Sequence, residues 1–456
     1  MSSTRPPGGT RDFLPDDVRR RDHVLETIRN VYERYGFEPI ETPALENIDT
    51  LLGKYGDEGN KLIFKILRRG EHESSGEADL ALRYDLTVPL ARVVAQYQNE
   101  LPRFFKRYQI QPVWRADRPA RGRFREFYQC DIDSVGSASP LVEVDQVAAV
   151  SEVLTRLGFR DFTIRLNHRQ VLAALLTHAG IEPARHADAL VALDKLDKIG
   201  RQGVGDELAE RGIPKRGAAT LVAWIDSEGG PEWLDRLQRE LDQPDAGALA
   251  AFENVRRILR LSRQTAALER VRFDPSLARG LSYYTGAILE AAVPDLAGSL
   301  GGGGRYDNLI GMFLGRDVPA CGFSLGLERI IVVMTERSMF PARIADGAVD
   351  ALVTVWNDES AGDAIALASD LRESGLRVEV YPEPDKLGKQ VKYASNRHVP
   401  FVAIVGDEER ARGEVAIKDL RSGEQTAVAR SEAGAAIRAR LARTASGPAG
   451  PAGGGR

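Results

Sequence analysis

The chain has 456 residues, 43% hydrophobic and 28% charged, with a formal net charge of −4; this supplies apolar matter for two to four domain cores and excludes an overall basic, nucleic-acid-coating protein. Two distant cysteines, Cys130 and Cys321, exclude a disulfide framework or a Cys-based zinc site. No signal-peptide pattern and no apolar run of roughly 18 residues is present, and the six histidines show no metal-ligand spacing, so the expectation is a cytoplasmic protein, no membrane partner, and no metal site built from its own side chains.

After a Pro/Gly-rich start, Val18, Leu25, Ile28, Val31, Tyr32 and Tyr35 recur at spacings of three and four, Asp16 and Asp17 precede them, and Gly36 follows; this predicts an amphipathic helix with its ends marked. "FEPIETPAL" reads as an extended segment, and residues 61–69 and 80–84 as strands about a polar turn. "LTVPLARVVAQY" predicts a short helix after Asp85. "FKRYQIQPVWRAD" and "EFYQCDIDSVG" predict a hairpin joined by the basic connection "RPARGRFR". A helix from Ser139 to Gly158 and the strand "DFTIRLNHR" come next. Residues 169–262 are helical throughout in pattern, which predicts a helical insertion. Strand patterns return at 270–274 and 281–293, and "CGFSLGLERIIVVMTER" passes from strand to helix. Beyond a linker, "DALVTVW", "GDAIALASDLRESG", "LRVEVYP", "LGKQVKYASNRHV" and "PFVAIVG" alternate strand and helix, which predicts a small α/β domain with parallel strands. The tail "ASGPAGPAGGGR" is of low complexity.

Residues 101–125 hold eight basic side chains and one acid. A solvated charged hairpin is one reading. The other is a grip on polyphosphate or an RNA end, because Arg115 closes one apolar strand and Arg123 and Arg125 lead into the next, where guanidinium groups are held rigidly. Asp131 and Asp133, spaced by two, share one sheet face with Gln129. Such a polar row is costly unless it faces solvent or a polar ligand bearing an ammonium group. The glycine run 301–304 lacks the Lys-Ser/Thr of a P-loop; it is read as a close backbone approach near a site or as a flexible turn. Arg329 sits at a helix start.

With these residues in view, the chain resembles the histidyl-tRNA synthetase family of class II aminoacyl-tRNA synthetases, from "GTRDFLPDD" at 9–17 to "VAIKDL" at 415–420. The general class II motifs are the helix and Pro-containing strand of 16–45, the hairpin "VWRADRPARGRFREFYQCDID", and "CGFSLGLERI". The specific ones are "RYDLTVP" at 83–89, "RGLSYYTG" at 279–286 and "GGGRYD" at 302–307. The resemblance implies a multidomain α+β and α/β architecture. An antiparallel-sheet catalytic core would span 1–168 and 263–336, with a helical insertion at 169–262 approaching the tRNA acceptor arm. A linker at 337–347, a C-terminal α/β anticodon-binding domain at 348–443 and a disordered tail at 444–456 would complete it.

The reaction implied joins L-histidine to ATP as histidyl-adenylate and then to tRNA(His), with Mg²⁺ on the triphosphate and a homodimer as the working form. By resemblance, Arg115 and Arg279 clamp the histidine carboxylate and the α-phosphate, each supplying on the order of 3 kcal/mol in the transition state. Asp133 and the pair Tyr283 and Tyr284 recognise the imidazole, while Asp85, Thr87 and Gln129 hold the α-ammonium. Phe127 and Arg329 sandwich adenine and Arg123 reaches the phosphates. Arg118, Arg121, Lys386, Lys389, Lys392 and Arg397 contact tRNA. A pocket so polar rejects apolar amino acids by ~10⁴-fold, so no editing domain is expected. The family usually has Asp where this chain has Ser282, which bears on Arg279 and the pocket. The alternative is a non-catalytic, regulatory paralogue. The motif arginines, the Tyr pair and the C-terminal domain all stand here, which favours the enzyme.

Overall fold

The computed structural model describes residues 4–68, 76–225, 231–241, 244–278, 283–341, 344 and 348–445. The chain divides into two compact units, Met1–Phe13 with Arg21–Met339, and Leu14–Arg20 with Phe340–Arg456. Residues 169–262 are largely helical, as their pattern predicts. They lie within the first unit, where the rings of Trp233 and Phe273 meet at 5.1 Å between centroids.

Helix α1 (Pro15–Arg34) carries Asp16 and Asp17 in its first turn and Arg34 in its last, charges that complement the helix dipole. Val24, Ile28, Val31 and Tyr32 form its buried stripe. Gly36, at φ 75°, ends it, and the Phe37 N–H then reaches the Tyr32 carbonyl at 3.1 Å.

The strands of the first unit are β1 (Glu38–Pro39), β2 (Leu45–Asn47), β3 (Lys65–Leu67), β4 (Ala78–Leu82), β5 (Phe105–Trp114), β6 (Glu126–Val135), β7 (Thr163–His168), β8 (Val271–Phe273), β9 (Ala287–Ala292), β10 (Gly301–Arg305) and β11 (Ala320–Gly326). Three of them form a small sheet in the order β2-β4-β3. The other eight form the main sheet in the order β1-β5-β6-β11-β10-β9-β7-β8. Its middle is antiparallel, and parallel pairs β1·β5 and β7·β8 close its two edges. Helices α2 (Thr87–Gln96), α3 (Leu141–Arg156) and α4 (Leu327–Glu336) pack around it.

Three local expectations change. The strand predicted over 61–69 is only β3, because the chain is helical up to Lys61. The strand predicted over 281–293 starts at Ala287; Tyr283–Gly286 lie outside the ladder, tied by the Thr285 N–H to the Arg305 carbonyl at 2.8 Å. The glycine run is neither turn nor loop but strand β10, between β9 and β11. A Cβ on Gly303 would stand 2.1 Å from the Gly322 carbonyl oxygen, and one on Gly301 2.3 Å from that of Ser324. The run is the close-approach case.

In the second unit β12 (Ala351–Val353), β13 (Val378–Val380), β14 (Phe401–Ile404), β15 (Glu414–Asp419) and β16 (Gln425–Ala429) form one sheet in the order β13-β12-β14-β15-β16. The first three strands are parallel, as the alternating pattern predicts; β15 and β16 add an antiparallel hairpin. Helices α5 (Asp358–Glu373) and α7 (Ala433–Ala445) supply one core, through Leu367, Leu371 and Ile437. Helix α6 (Leu387–Asn396) supplies the other, through Ala394. The tail beyond 445 lies outside the described residues.

Candidate active site

Cross-strand register writes polar rows across one face of the main sheet, since directly paired residues project to the same side. Arg107, Asp133, Gly322 and Gly304 form one row. Gln109, Asp131, Ser324, Gly302, Glu290 and Arg165 form the next, and Gln111, Gln129 and Gly326 a third. On the opposite face the middle of the same strands carries Ile110, Cys130, Ile132, Phe323 and Leu325, with Lys106, Tyr108, Tyr128 and Ser134 toward its ends. The sequence therefore alternates with period two along the middle of β5 and β6, with the polar side meeting Tyr306 at Asp133.

That side is sealed from water. Arg107 and Gln109 are fully buried, and Asp131 and Asp133 are each 2% exposed. Arg107 Nη2 stands 2.7 Å from Asp133 Oδ2, and the Tyr306 hydroxyl donates to Asp133 Oδ1. Gly322, facing Asp133 across the ladder, has no room for a side chain: a Cβ there would be 1.9 Å from Asp133 Oδ1. Gly304, at φ 154°, would bring a Cβ to 3.0 Å from the Tyr284 ring.

Above the floor stands a cage of tyrosines. Tyr283 meets Tyr284 at 5.0 Å and Tyr306 at 6.0 Å, and Tyr55 meets Tyr84 at 4.5 Å, between ring centroids. Asp85, 1% exposed, follows β4 after Arg83 and Tyr84. It accepts from the Val88 N–H at 3.0 Å, the Tyr55 hydroxyl at 3.0 Å and the Tyr283 hydroxyl at 3.4 Å. The first of these bonds ties it to the first turn of α2, where Thr87 also lies. Burial pushes the carboxyls of Asp85, Asp131 and Asp133 above the ordinary range, and the nearby Arg115 or Arg107 charge only partly offsets this. Burial likewise drives the Tyr55, Tyr283 and Tyr306 hydroxyls up, so they remain donors.

Arg115 lies just past the end of β5. Its Nε donates to the Tyr84 carbonyl at 3.0 Å, and its guanidinium sits 4.3 Å from the Tyr84 ring centroid and 5.2 Å from that of Phe127. It thus links the acidic pocket to the aromatic face of β6. Arg329, on α4, donates to the Gly122 carbonyl at 3.3 Å and the Ser299 carbonyl at 2.6 Å, which fixes the hairpin loop over the start of that helix. Arg123 is exposed, 3.7 Å from Asp117. The structure therefore brings together Asp85, Thr87, Arg115, Gln129, Asp133, Tyr283 and Tyr284, with Phe127, Arg123 and Arg329 around the same hairpin. Arg279, with Ser282, lies outside the described residues.

The basic residues read as tRNA contacts are spread more widely. Arg118 is exposed at the hairpin loop, and Arg121 pairs with Glu336. On the second unit Lys386 occupies the N-cap position of α6 and Lys392 is exposed on it. Lys389 pairs with Asp385 at 3.1 Å, and Arg397 with Glu379 at 3.1 Å.

Sequence reading gave no role to Tyr55, Arg107, Tyr306, Gly322 or Ser324. Arg107, Gln109 and Gln111 alternate with Tyr108, Ile110 and Pro112, a legible signal that β5 shares the polar face. Tyr306 stands in the quoted "GGGRYD". Nothing local marks Tyr55, which reaches Asp85 from a distant loop. Arg83, 2% exposed, is the frame rather than the pocket. It donates to the carbonyls of Thr42 at 2.6 Å, Pro43 at 3.2 Å and Pro112 at 2.8 Å, and so ties the Pro43 segment to β5.

A histidyl-tRNA synthetase family model matches residues 9–330, the span that builds this pocket. The chain belongs to the histidyl-tRNA synthetase family. An anticodon-binding domain model matches residues 350–440, within the second unit. Similar proteins are the histidine–tRNA ligases of Porphyromonas gingivalis, 44% identical over 92% of this chain and 95% of that protein, and of Gloeobacter violaceus, 43% identical over 95% of this chain and 98% of that protein. The histidyl-tRNA synthetase crystal structure from Nostoc sp. PCC 7120 superposes with a TM-score of 0.82 at 32% identity, covering 97% of this chain and all of that one. Synthetase-like similarity running the full length of both partners does not favour the regulatory-paralogue alternative. The class II fold expected from the motifs is the fold present. No helix among the described residues is long and apolar enough to cross a membrane.

Proposed function

We propose that this synthetase builds histidyl-adenylate in the pocket over β6 and β11 and transfers the histidyl group to tRNA(His). The observation that carries the reading is the position of Arg115. It stands between a buried acidic, tyrosine-walled pocket, suited to an amino acid with an ammonium and an N–H-bearing ring, and the Phe127 ring, suited to adenine.

In the first step a histidine carboxylate oxygen attacks the α-phosphorus, a P–O bond forms, and pyrophosphate leaves with the electrons of the broken bond. Two anions must meet, and charge builds on the equatorial phosphate oxygens. Arg115, and by resemblance Arg279, oppose that charge without reorganising. Asp133, fixed by Arg107 and Tyr306, accepts the imidazole N–H, with Tyr283 and Tyr284 walling the ring. Asp85, Thr87 and Gln129 face the ammonium. Adenine stacks between Phe127 and Arg329, and Arg123 reaches the outer phosphates. In the second step a terminal ribose hydroxyl of tRNA attacks the acyl carbon and AMP leaves.

Mg²⁺ is assigned to the ATP phosphates, whose oxygens are the hard ligands it prefers. Among the described residues no group of three or more His, Cys, Asp or Glu side chains forms a metal cage. When bound, the ion offsets triphosphate charge. Pairing into a homodimer is supported by Leu45 and Leu67 on the small sheet, 45% and 56% exposed. Arg118, Arg121 and the α6 basic residues are proposed to meet tRNA phosphates, at the acceptor end and the anticodon respectively, and the compartment to be the cytoplasm.

The test is ATP–pyrophosphate exchange with each of the twenty amino acids. Exchange is expected with histidine alone, falling about 100-fold in Arg115→Ala, the size of one lost preorganised donor. Absence of exchange in a folded protein would overturn the reading.

A further inference from the structure

Asp133 faces two partners of different kinds. The Tyr306 hydroxyl donates to its Oδ1. Arg107 Nη2 stands 2.7 Å from its Oδ2, yet Oδ2 has no hydrogen-bond partner, because the guanidinium N–H groups do not point at it. They are spent elsewhere: Nη1 donates to Gln109 Oε1 at 3.1 Å and Nη2 to the Leu86 carbonyl at 3.3 Å, at the start of α2. Gln109 is held in turn, its Nε2 donating to Thr42 Oγ1 at 2.9 Å and Gln111 Oε1 at 2.7 Å. Arg107 Nε, buried like the rest of a side chain that is 0% exposed, has no acceptor. A buried ion pair that served folding would use aligned bonds to offset the desolvation of both ions. This one brings a charge to close range and leaves the Oδ2 lone pairs open. The other groups around Asp133 are neutral or negative. Asp131, on the same strand, and Asp85, beyond β4, are carboxyls; Tyr306, Tyr32 of α1 and Cys321 of β11 are driven up by burial and stay uncharged. Arg107 is the positive member of the set.

Resting on the reading that Asp133 meets the imidazole, and deepening it, we propose that Arg107 is the positioning residue for ring recognition, holding Asp133 as a charged acceptor whose Oδ2 stays free for the ring N–H. Arg107 acts through Asp133 and not on the substrate itself. Burial favours the neutral carboxylic acid, and the Arg107 charge opposes it. Without that charge the carboxyl takes up a proton and presents an O–H donor where the ring also presents a donor. Two donors then meet, and the contact is lost at the pH where the acid forms.

The test is histidine-dependent ATP–pyrophosphate exchange from about pH 6 to 9 in wild type, Arg107→Met, Arg107→Gln and Arg107→Lys. An opposite charge at this distance moves the titration of a carboxyl down by about 1–3 pH units. The acid limb of kcat/KM for histidine is therefore expected to rise by at least about one pH unit in Arg107→Met and Arg107→Gln, with activity recovering at the alkaline end and the KM for ATP unchanged. Arg107→Gln keeps a donor for Gln109 or Leu86, so it serves where Arg107→Met does not fold. Arg107→Lys keeps the charge and is expected to hold the limb within about half a pH unit of wild type. A bonding role predicts the reverse, rescue by Gln and not by Lys, and that pattern would overturn the proposal. So would a loss of equal size at every pH, or a wild-type profile in the neutral variants. Asp133→Asn with a wild-type KM for histidine would instead sink the ring assignment, and the proposal with it.

Discussion

Gly322→Ala adds one methyl group at the point where the floor of the pocket is tightest. Its Cβ would lie 1.9 Å from Asp133 Oδ1, 2.8 Å from Cγ and 3.2 Å from Tyr306 Cε1. Ordinary contact requires more than 3 Å, so the carboxylate must retreat by about 1 Å, and it cannot do so without dragging on Arg107 and Tyr306, which hold it from either side. A misplacement of that size at a substrate-positioning group costs on the order of 100-fold in rate, and overpacking costs about 1–3 kcal/mol of stability. The expected result in ATP–pyrophosphate exchange is a kcat/KM for histidine lowered on the order of 100-fold, with the KM for ATP nearly unchanged because Phe127 and Arg329 are not displaced. Thermal melting should fall by a few degrees. Gly388→Ala, on α6 with nothing within 4 Å of the added carbon, is the matched control. A Gly322→Ala protein with wild-type KM for histidine would refute the assignment of Asp133 to the ring.

His168 predicts an acid-side stability slope. Its Nδ1 caps the helix Arg169–His178 by accepting from the Gln170 N–H at 3.2 Å, and burial first, then the Arg305 charge, lower its pKa from 6.5 to about 4. The unfolded chain therefore binds the extra proton first: the contribution is present above pH 6.5 and lost as pH falls toward 4, up to about 3 kcal/mol in all. His168→Asn keeps a capping acceptor without titrating, so chemical denaturation of that variant should have a flatter pH profile between 6.5 and 4; an unchanged slope would remove His168 from the account. In the second unit, replacing Lys386, Lys389, Lys392 and Arg397 together with Ala should leave histidine-dependent exchange intact and raise the tRNA KM. The salt slope of tRNA binding should drop by about 1–2 rather than the ~3 of four free cations, because Lys389 and Arg397 already have acidic neighbours. A tRNA KM equal to wild type would place the anticodon contacts elsewhere.

How much of this was legible in sequence differs by element. The α1 boundaries, the β5–β6 hairpin and the βαβαβ order of the second unit follow from period and capping signals that are local. The face shared by Gln129, Asp131 and Asp133 was legible too, because period two is enough to place them together. What stayed hidden was set by pairing between distant strands. Gly322 matters only because the β6–β11 register puts it opposite Asp133, and Gly301–Gly304 could be a turn or a strand until their neighbours were known. Tyr55 carries no periodic signal and becomes part of the pocket only through its bond to Asp85.

The sheet face itself argues for a ligand. A class of residues that would pack apolar at little cost has been replaced here by Arg107, Gln109, Gln129, Asp131 and Asp133, all buried, on the two longest strands of the unit. Apolar residues of similar volume in place of a buried charged set are commonly neutral or stabilising, so folding alone does not call for this composition. The opposite face of the same strands shows the inexpensive solution, with Ile110, Ile132, Phe323 and Leu325. Glycines 302, 304, 322 and 326 continue the polar rows without side chains, and at Gly322 and Gly304 a Cβ would collide with Asp133 Oδ1 and with the Ala287 carbonyl oxygen. A buried wall this polar is coherent when a polar ligand completes it, as the histidine-binding reading proposes.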